Sequence, residues 1–153
     1  MENLLSKDIR RLLPHREPFL FIDKIISAEE GVVTASKYIK KDEEYLKGHF
    51  PGNPLVPGVL LIESMAQASG LACALYMSEQ KIPHRESAEV YFLSRVSDVK
   101  FKRPVMPGDI LIIKSKIVEC FRPFFKAEAL CEVNGKIVAE GELVLTERQG
   151  GMT

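Results

Sequence analysis

The sequence has no excess of charge of either sign, no tryptophan and only three cysteines. Its 153 residues include 21 lysine or arginine and 21 aspartate or glutamate residues, so the formal net charge is zero. Nucleic-acid-binding proteins usually carry a basic excess, and we therefore do not expect one here. Cys73, Cys120 and Cys131 form no CxxC pair and no Cys/His ligand spacing, so neither a disulfide framework nor a metal site is predicted.

The N-terminus lacks a long apolar stretch followed by a cleavage site, so no secretory signal is predicted. Sparse, unpaired thiols then fit a cytoplasmic protein. Residues 58–77 contain one charged side chain, Glu63, and about 20 apolar residues are enough to span a bilayer. Because Glu63 and three further polar side chains would then lie in hydrocarbon at a high cost, we predict a helix buried in a soluble core and no membrane span.

No repeat, low-complexity tract or charge run divides the chain, and its length fits one domain. We therefore expect a single domain over residues 1–153, with a disordered tail at residues 148–153. The patterns of apolar residues and turn signals predict helices at residues 6–13 and 58–78 and strands at residues 19–27, 32–39, 90–101, 110–119, 124–133 and 136–146.

Strands that follow one another without alternating helices favour an antiparallel sheet and an α+β fold. The second predicted helix is about 30 Å long at 1.5 Å per residue. One sheet covers an apolar helix of that length only by curling around it. Even then, we expect one flank to need a second subunit.

Residues 48–63 read GHFPGNPLVPGVLLIE, a loop dense in proline and glycine that leads into the long helix. His49 lies in this loop, and histidine is the side chain most easily poised as a base near neutral pH. Pro57 and Gly58 supply no capping side chain, so the backbone N–H groups of the first turn are available to a developing oxyanion. The alternatives for His49 are a surface histidine or one that bonds a loop carbonyl. The alternatives for the N–H groups are solvation by water or bonding to carbonyls of the loop itself.

Glu63 lies in the second turn of this apolar helix, next to small residues such as Ala66 and Gly70 that let a ligand approach. Burying a carboxylate costs several kcal/mol unless it is paired or protonated, and a protonated carboxyl can act as a general acid. We expect Gln67, one turn later, to orient it. The alternative is a structural hydrogen bond to a strand backbone. Together, a base, an acid and an oxyanion site fit the elimination of water from a 3-hydroxyacyl compound, or its reverse.

Four segments extend this pattern along the chain. They are LLPHREPFL at residues 12–20, GHFPGNPLVPGVLLIESMAQA at residues 48–68, KFKRPVMPGD at residues 100–109 and VAEGEL at residues 138–143. With these segments, the chain resembles the FabZ-type 3-hydroxyacyl-[acyl-carrier-protein] dehydratases of bacterial type II fatty acid synthesis. The resemblance covers about residues 8–146, and the segments follow in the family's order and at its spacing. Such a set is far more specific than any one short motif.

The resemblance implies the hotdog fold, a curved antiparallel sheet wrapped around one long central helix. It also implies a homodimer whose sheets join, commonly assembled as a hexamer that is a trimer of dimers. The implied activity is that of a hydro-lyase, which converts (3R)-3-hydroxyacyl-carrier protein to the trans-2-enoyl product with neither a metal nor an organic cofactor. His49 of one subunit would face Glu63 of the other, and the N–H of Gly58 would bind the thioester carbonyl. Glutamate at position 63, where the isomerising FabA type has aspartate, favours dehydration alone.

The strand at residues 90–101 departs from the family pattern, because Arg95 falls about where glycine is usual. In the family this strand helps to shape the acyl tunnel, and Tyr91 and Phe92 are the candidate gate residues here. The departure leaves open a dehydratase of the same chemistry in a secondary polyketide or polyene lipid pathway. A hotdog thioesterase and a non-catalytic acyl-carrier-binding subunit are further alternatives, although intact His49 and Glu63 argue against the latter.

The carrier protein implied by the resemblance is acidic, so positive charge is expected near the tunnel mouth. The candidates are Lys100, Lys102 and Arg103, with Arg95 and Arg122 as further members. The alternative is a solvated strand face. For the two remaining histidines, we expect a packing or hydrogen-bonding role for His15 and solvation of His84.

Overall fold

The computed structural model describes residue 5 and residues 8–82 and 90–148 of the chain. The described strands are β1 (Lys24–Glu29), β2 (Val32–Tyr38), β3 (Tyr91–Phe101), β4 (Ile110–Phe121), β5 (Phe124–Val133) and β6 (Lys136–Glu147). The α-helices are α1 (Ile9–Leu12) and α2 (Gly58–Glu79), and Glu44–Lys47 forms a 3-10 helix. All strand pairs are antiparallel, in the order β1-β2-β4-β5-β6-β3.

Helix α2 is the core around which the sheet wraps. It packs most closely against β4 and also contacts β2, β5, β6 and β3, so the sheet covers it from several sides. By length and composition α2 could cross a membrane, but 61% of its most apolar window is buried inside the protein. This is the buried core helix that the sequence predicts, and the α+β architecture of a curved sheet around one long helix is confirmed.

A pair of serines ties α2 to the middle of the sheet. The Ser69 hydroxyl lies 2.7 Å from the Met65 carbonyl oxygen and 2.8 Å from the Ser115 hydroxyl on β4. Both serines are buried. Because an unpaired buried hydroxyl is costly, this contact favours one position of the helix along the sheet.

The strand predicted at residues 19–27 is wrong in its first half, since β1 begins only at Lys24. Gln67 on α2 binds the preceding segment instead. The Phe21 N–H donates to its side-chain oxygen, and its side-chain N–H donates to the Phe19 carbonyl. A helix side chain therefore binds the backbone groups that would otherwise pair with a neighbouring strand. Backbone pairing with β2 starts only at Asp23, whose N–H donates to the Ser36 carbonyl.

Most other predicted boundaries lie close to the observed ones. The bounds of β5 match the prediction, and α2 is one residue longer than predicted. Residues 6 and 7 of the first predicted helix lie outside the described residues, and α1 begins after Asp8, which caps it by accepting the Arg10 N–H. His84 and residues 149–153 of the expected tail lie outside the described residues, whereas the Arg148 N–H donates to the Val90 carbonyl.

A close approach between β3 and β6 explains one glycine. The register of this pair shifts between Ser97 and Lys100, and Asp98 has a positive φ of 53°. This irregularity presses Val99 onto Gly141 of β6, where an added Cβ would lie 2.6 Å from Val99 Cγ2 and 3.2 Å from its Cα. Only a residue without a side chain fits beneath the bulge.

We predict that Gly141→Ala lowers the free energy of unfolding by about 1–3 kcal/mol, because the added methyl meets backbone as well as side chain. The matched control is Gly48→Ala, where φ is −98° and no described residue other than the two chain neighbours lies within 4 Å of an added Cβ. Urea denaturation of both variants measures the difference. Equal stability of the two variants would contradict the bulge explanation.

Candidate active site

Glu63 lies in the second turn of α2 with its side chain 20% exposed. Its Oε1 accepts a hydrogen bond from Gln67 Nε2 at 3.0 Å, and His15 Nε2 lies 3.5 Å from the same oxygen. Among the described residues, Oε2 has no partner. The carboxyl group is thus held through one oxygen, while the other remains available to a ligand.

Gln67 is only 1% exposed, and its amide uses both N–H groups and one lone pair of its oxygen. Besides Glu63, it bonds the Phe19 carbonyl at 3.0 Å and the Phe21 N–H at 2.9 Å. A buried amide with three such partners has little freedom to rotate. This geometry places Gln67 where an orienting residue would stand; its functional role stays a prediction.

A cavity of about 140 Å³ opens beside Glu63. Its walls come from the N-terminal segment, α2, the start of β3 and the end of β6, and Glu63, Gln67 and His15 supply its polar side. Tyr91 and Phe92, the predicted gate residues, belong to its largely apolar side. The structure therefore brings the candidate acid and the candidate gate together in one cavity.

His49 lies in the loop after the 3-10 helix, and its ring is held on two sides. Nδ1 lies 2.7 Å from the Leu55 carbonyl oxygen, and the ring stacks on Phe50 with centroids 4.0 Å apart. Because a carbonyl only accepts, the hydrogen of the neutral ring sits on Nδ1 and the lone pair on Nε2. The loop-carbonyl bond that the sequence left as an alternative is present, and it fixes the tautomer that a general base needs.

One chain does not bring His49 and Glu63 together in the part that the structure describes. His49 is absent from the described lining of the Glu63 cavity, and its described contacts lie within its own loop. The site shared between two copies that the resemblance implies stays a prediction.

Helix α2 begins without a capping side chain from the described residues, as its sequence predicts. Pro57 occupies the N-cap position. The ring of Phe101, at the end of β3, lies against Gly58, where an added Cβ would be 3.1 Å from two ring carbons. The Leu60 N–H donates to the Pro57 carbonyl at 2.9 Å, so the loop-carbonyl alternative holds for that group. The N–H groups of Gly58 and Val59 have no partner among the described residues.

The candidate basic residues lie at the same end of β3. Lys100, Lys102 and Arg103 are exposed and flank Phe101, next to the start of α2. Lys102 also pairs with Glu140 at 3.0 Å. Arg122 belongs to another part of the sheet, where it makes two hydrogen bonds to Glu147.

Burial disfavours the thiolate forms of Cys131 and Cys120. Cys73 and Cys131 are buried, and burial raises the pKa of Cys131 to about 12. Burial also raises the pKa of Cys120. A thiol that stays protonated neither attacks nor ligates a metal. In the described part of the chain, no group of three or more His, Cys, Asp or Glu side chains is arranged to hold a metal ion.

The sequence does not predict the contact between His15 and Glu63. The sequence predicts a packing or hydrogen-bonding role for His15 but does not identify the residue that it contacts. The two residues are 48 positions apart, and no spacing rule joins a loop residue to a helix residue over that distance. The only available signal was the proline before His15, which fixes the backbone of the segment.

In comparisons with known proteins, the sequence of this chain matches dehydratases. Residues 13–142 match the FabA-like domain family. A 3-hydroxyacyl-[acyl-carrier-protein] dehydratase FabZ from Ruminiclostridium cellulolyticum is 40% identical over 92% of this chain and 94% of its own length. The FabZ from Thiobacillus denitrificans is 39% identical over 93% of this chain and 96% of its own length.

Solved structures show the hotdog fold. A chain of the dehydratase heterocomplex ApeI:P from Xenorhabdus doucetiae superposes with a TM-score of 0.78 at 21% identity, over 95% of this chain and 93% of that one. A hypothetical thioesterase with coenzyme A from Streptococcus pneumoniae gives 0.61 at 14% identity, over 82% and 84%. At these identities the likeness establishes the fold alone.

Proposed function

The chain belongs to the FabZ-type 3-hydroxyacyl-[acyl-carrier-protein] dehydratases of the FabA-like family, and from this membership we propose that it converts (3R)-3-hydroxyacyl-carrier protein to the trans-2-enoyl product in fatty acid synthesis. It is a hydro-lyase. The observation that carries the proposal is the Glu63 carboxyl, which Gln67 holds on the polar wall of a cavity whose opposite wall is apolar, with one oxygen free among the described residues.

The proposed reaction uses three groups. His49 Nε2 removes a proton from C2 of the acyl chain, and the electron pair moves toward the thioester carbonyl. The backbone N–H of Gly58, at the uncapped start of α2, stabilises the oxygen as it gains charge. As the C2–C3 double bond forms, Glu63 gives its proton to the 3-hydroxyl and water leaves. The proton held by His49 then returns to Glu63, so the cycle removes one water molecule and needs no redox step.

We propose that two copies join along β3 to complete each site. β3 is a sheet edge 11 residues long. It exposes four apolar side chains: Phe92, Leu93, Val96 and Phe101. A long apolar edge strand is a template for pairing with another chain, and antiparallel pairing of two β3 strands would extend the sheet across a two-fold axis. This dimer would set His49 of one copy against Glu63 of the other, and three dimers would form the hexamer of the resemblance.

Substrate delivery and location follow from the same proposal. The acyl chain arrives on acyl carrier protein, with Tyr91 and Phe92 as gate of the cavity that receives it. No metal or organic cofactor takes part in the proposed steps. The proposed compartment is the cytoplasm, where fatty acid precursors and their carrier protein meet.

Changing either catalytic group should stop turnover without unfolding the protein. We expect His49→Ala and Glu63→Gln each to lower kcat by about 10²–10⁴-fold, because each removes one proton-transfer group. The measurement is enoyl absorbance with 3-hydroxyacyl-carrier protein, with circular dichroism as the check on folding. A variant with near-normal turnover would remove that residue from the mechanism.

Mixing these two variants tests whether the site is shared between copies. After refolding together, mixed dimers hold one site with both His49 and Glu63 intact. Random pairing should therefore restore about a quarter of the wild-type rate. If each chain held a whole site by itself, no mixture would recover activity.

The dimer edge can be tested by a charge in β3. Val96→Lys should yield monomers that do not turn over, because a lysine on an edge strand opposes pairing. The control is Val118→Lys on the interior strand β4, since Val118 is 42% exposed and Val96 is 39% exposed. Light scattering gives the mass of each variant. A fully dimeric, active Val96→Lys would contradict pairing through this strand.

The basic residues near the start of α2 should matter only for the carrier-bound substrate. We expect Lys102→Glu with Arg103→Glu to lower kcat/KM by about 10-fold at low salt, with a smaller loss at high salt because the attraction is screened. A small thioester surrogate should be unaffected. Lys126→Glu is the control, because Lys126 faces Glu142 at 3.7 Å as Lys102 faces Glu140. Equal loss on both substrates would count against the patch.

A further inference from the structure

His15 lies in an N-terminal segment that is fixed in place by its neighbour. The Arg16 guanidinium donates to the Leu13 carbonyl at 2.9 Å, to the His15 carbonyl at 2.6 Å and to the Arg10 carbonyl at 3.0 Å. These charge-assisted bonds hold the backbone on the N-terminal side of His15 and at His15 itself. The imidazole therefore reaches the cavity from a braced segment.

The two ring nitrogens of His15 have unlike surroundings. Nε2 lies 3.5 Å from Glu63 Oε1, whereas Nδ1 is buried and has no hydrogen-bond partner among the described residues. In a neutral ring one nitrogen carries the hydrogen. A hydrogen on Nε2 points at an acceptor, but a hydrogen on Nδ1 would have none and would leave the Nε2 lone pair against the carboxyl oxygen. The neutral ring therefore favours the tautomer whose Nε2–H can donate to Glu63 if the 3.5 Å separation shortens.

Glu63 Oε1 then faces two N–H donors from different elements, Gln67 on α2 and His15 on the N-terminal segment. Two donors on one oxygen fix the rotation of the carboxyl as well as its position. In the acid form that the proposed step uses, the hydrogen sits on Oε2, because a carbonyl oxygen accepts N–H groups better than the oxygen of an O–H group does. The separation of 3.5 Å exceeds the usual 2.7–3.2 Å, and bonds in unliganded sites commonly tighten when substrate binds.

We propose that His15 is a positioning residue of the dehydration, a role that rests on the function proposed above. It holds Oε1 so that the Oε2–H bond points at the 3-hydroxyl of the substrate. When that bond breaks, the proton goes to the departing oxygen and the carboxyl becomes a carboxylate. The His15 and Gln67 donors bind the carboxylate more strongly than the neutral acid, so their effect grows as the reaction proceeds.

Two amide substitutions separate this role from a structural one. The amide nitrogen of His15→Gln reaches the position of Nε2, whereas that of His15→Asn stops near Nδ1. We expect His15→Asn to lower kcat by about 10- to 100-fold, as misplacement by about 1 Å does. His15→Gln should retain kcat within about threefold of wild type, and KM should change little in either, because only the chemical step is affected.

The loss should be the same factor on short and long 3-hydroxyacyl-carrier substrates, since Glu63 acts at C3 in all of them. Asp8→Ala is the matched control: it removes the cap of α1 but leaves the Arg16 bonds that hold His15, so its kcat should stay near wild type. Thermal unfolding of all three variants checks that they are folded.

Four results would overturn the role of His15: unchanged kcat in His15→Asn, an equal loss in His15→Gln, an equal loss in Asp8→Ala, or a loss that varies with acyl length. The last would assign His15 to the shape of the cavity. None of these results contradicts the proposed dehydratase function, provided that the wild type turns over substrate and Glu63→Gln does not. Inactive wild type would instead contradict the proposed function.

Discussion

The amide of Gln67 is the contact on which the site depends. It joins three parts of the chain at one buried point: the core helix, the N-terminal segment through Phe19 and Phe21, and the carboxyl of Glu63. An unpaired amide in this position would cost about 1–3 kcal/mol for each lost partner. The segment therefore stays on the helix, forms one wall of the cavity and carries His15 to Glu63. Fold stability and the placement of the candidate acid rest on the same hydrogen bonds.

The sequence predicts the sheet and the core helix well because both follow from local rules. Alternation and turn residues define β5 at both ends, and a long apolar run defines α2. The first half of the strand predicted at residues 19–27 fails for a non-local reason, since a glutamine 46 residues away takes its backbone partners. Gly141 is similar: its need for glycine comes from a bulge on β3 that no local pattern indicates.

In the candidate site, too, local patterns predict some features, and others depend on contacts between distant parts of the chain. His49 and Glu63 were found from chemistry and motif, because a base in a restricted loop and an acid in an apolar helix stand out in the sequence. Their separation within one described chain was not visible from the residues alone and was implied only by the family resemblance. His15 was assigned a hydrogen-bonding or packing role without its partner, because a contact between a loop and a helix depends on how the N-terminal segment crosses α2.

The contact between Phe101 and Gly58 links the remaining parts of the proposed mechanism. It sets the end of edge strand β3 against the uncapped start of α2, so one short stretch of chain borders the proposed dimer edge, the oxyanion donors and the exposed cations at residues 102 and 103. A carrier protein drawn to those cations would bring its thioester to the helix start. The acyl chain would then enter a cavity whose acid is already oriented. In the proposed dimer the partner copy would then supply the base.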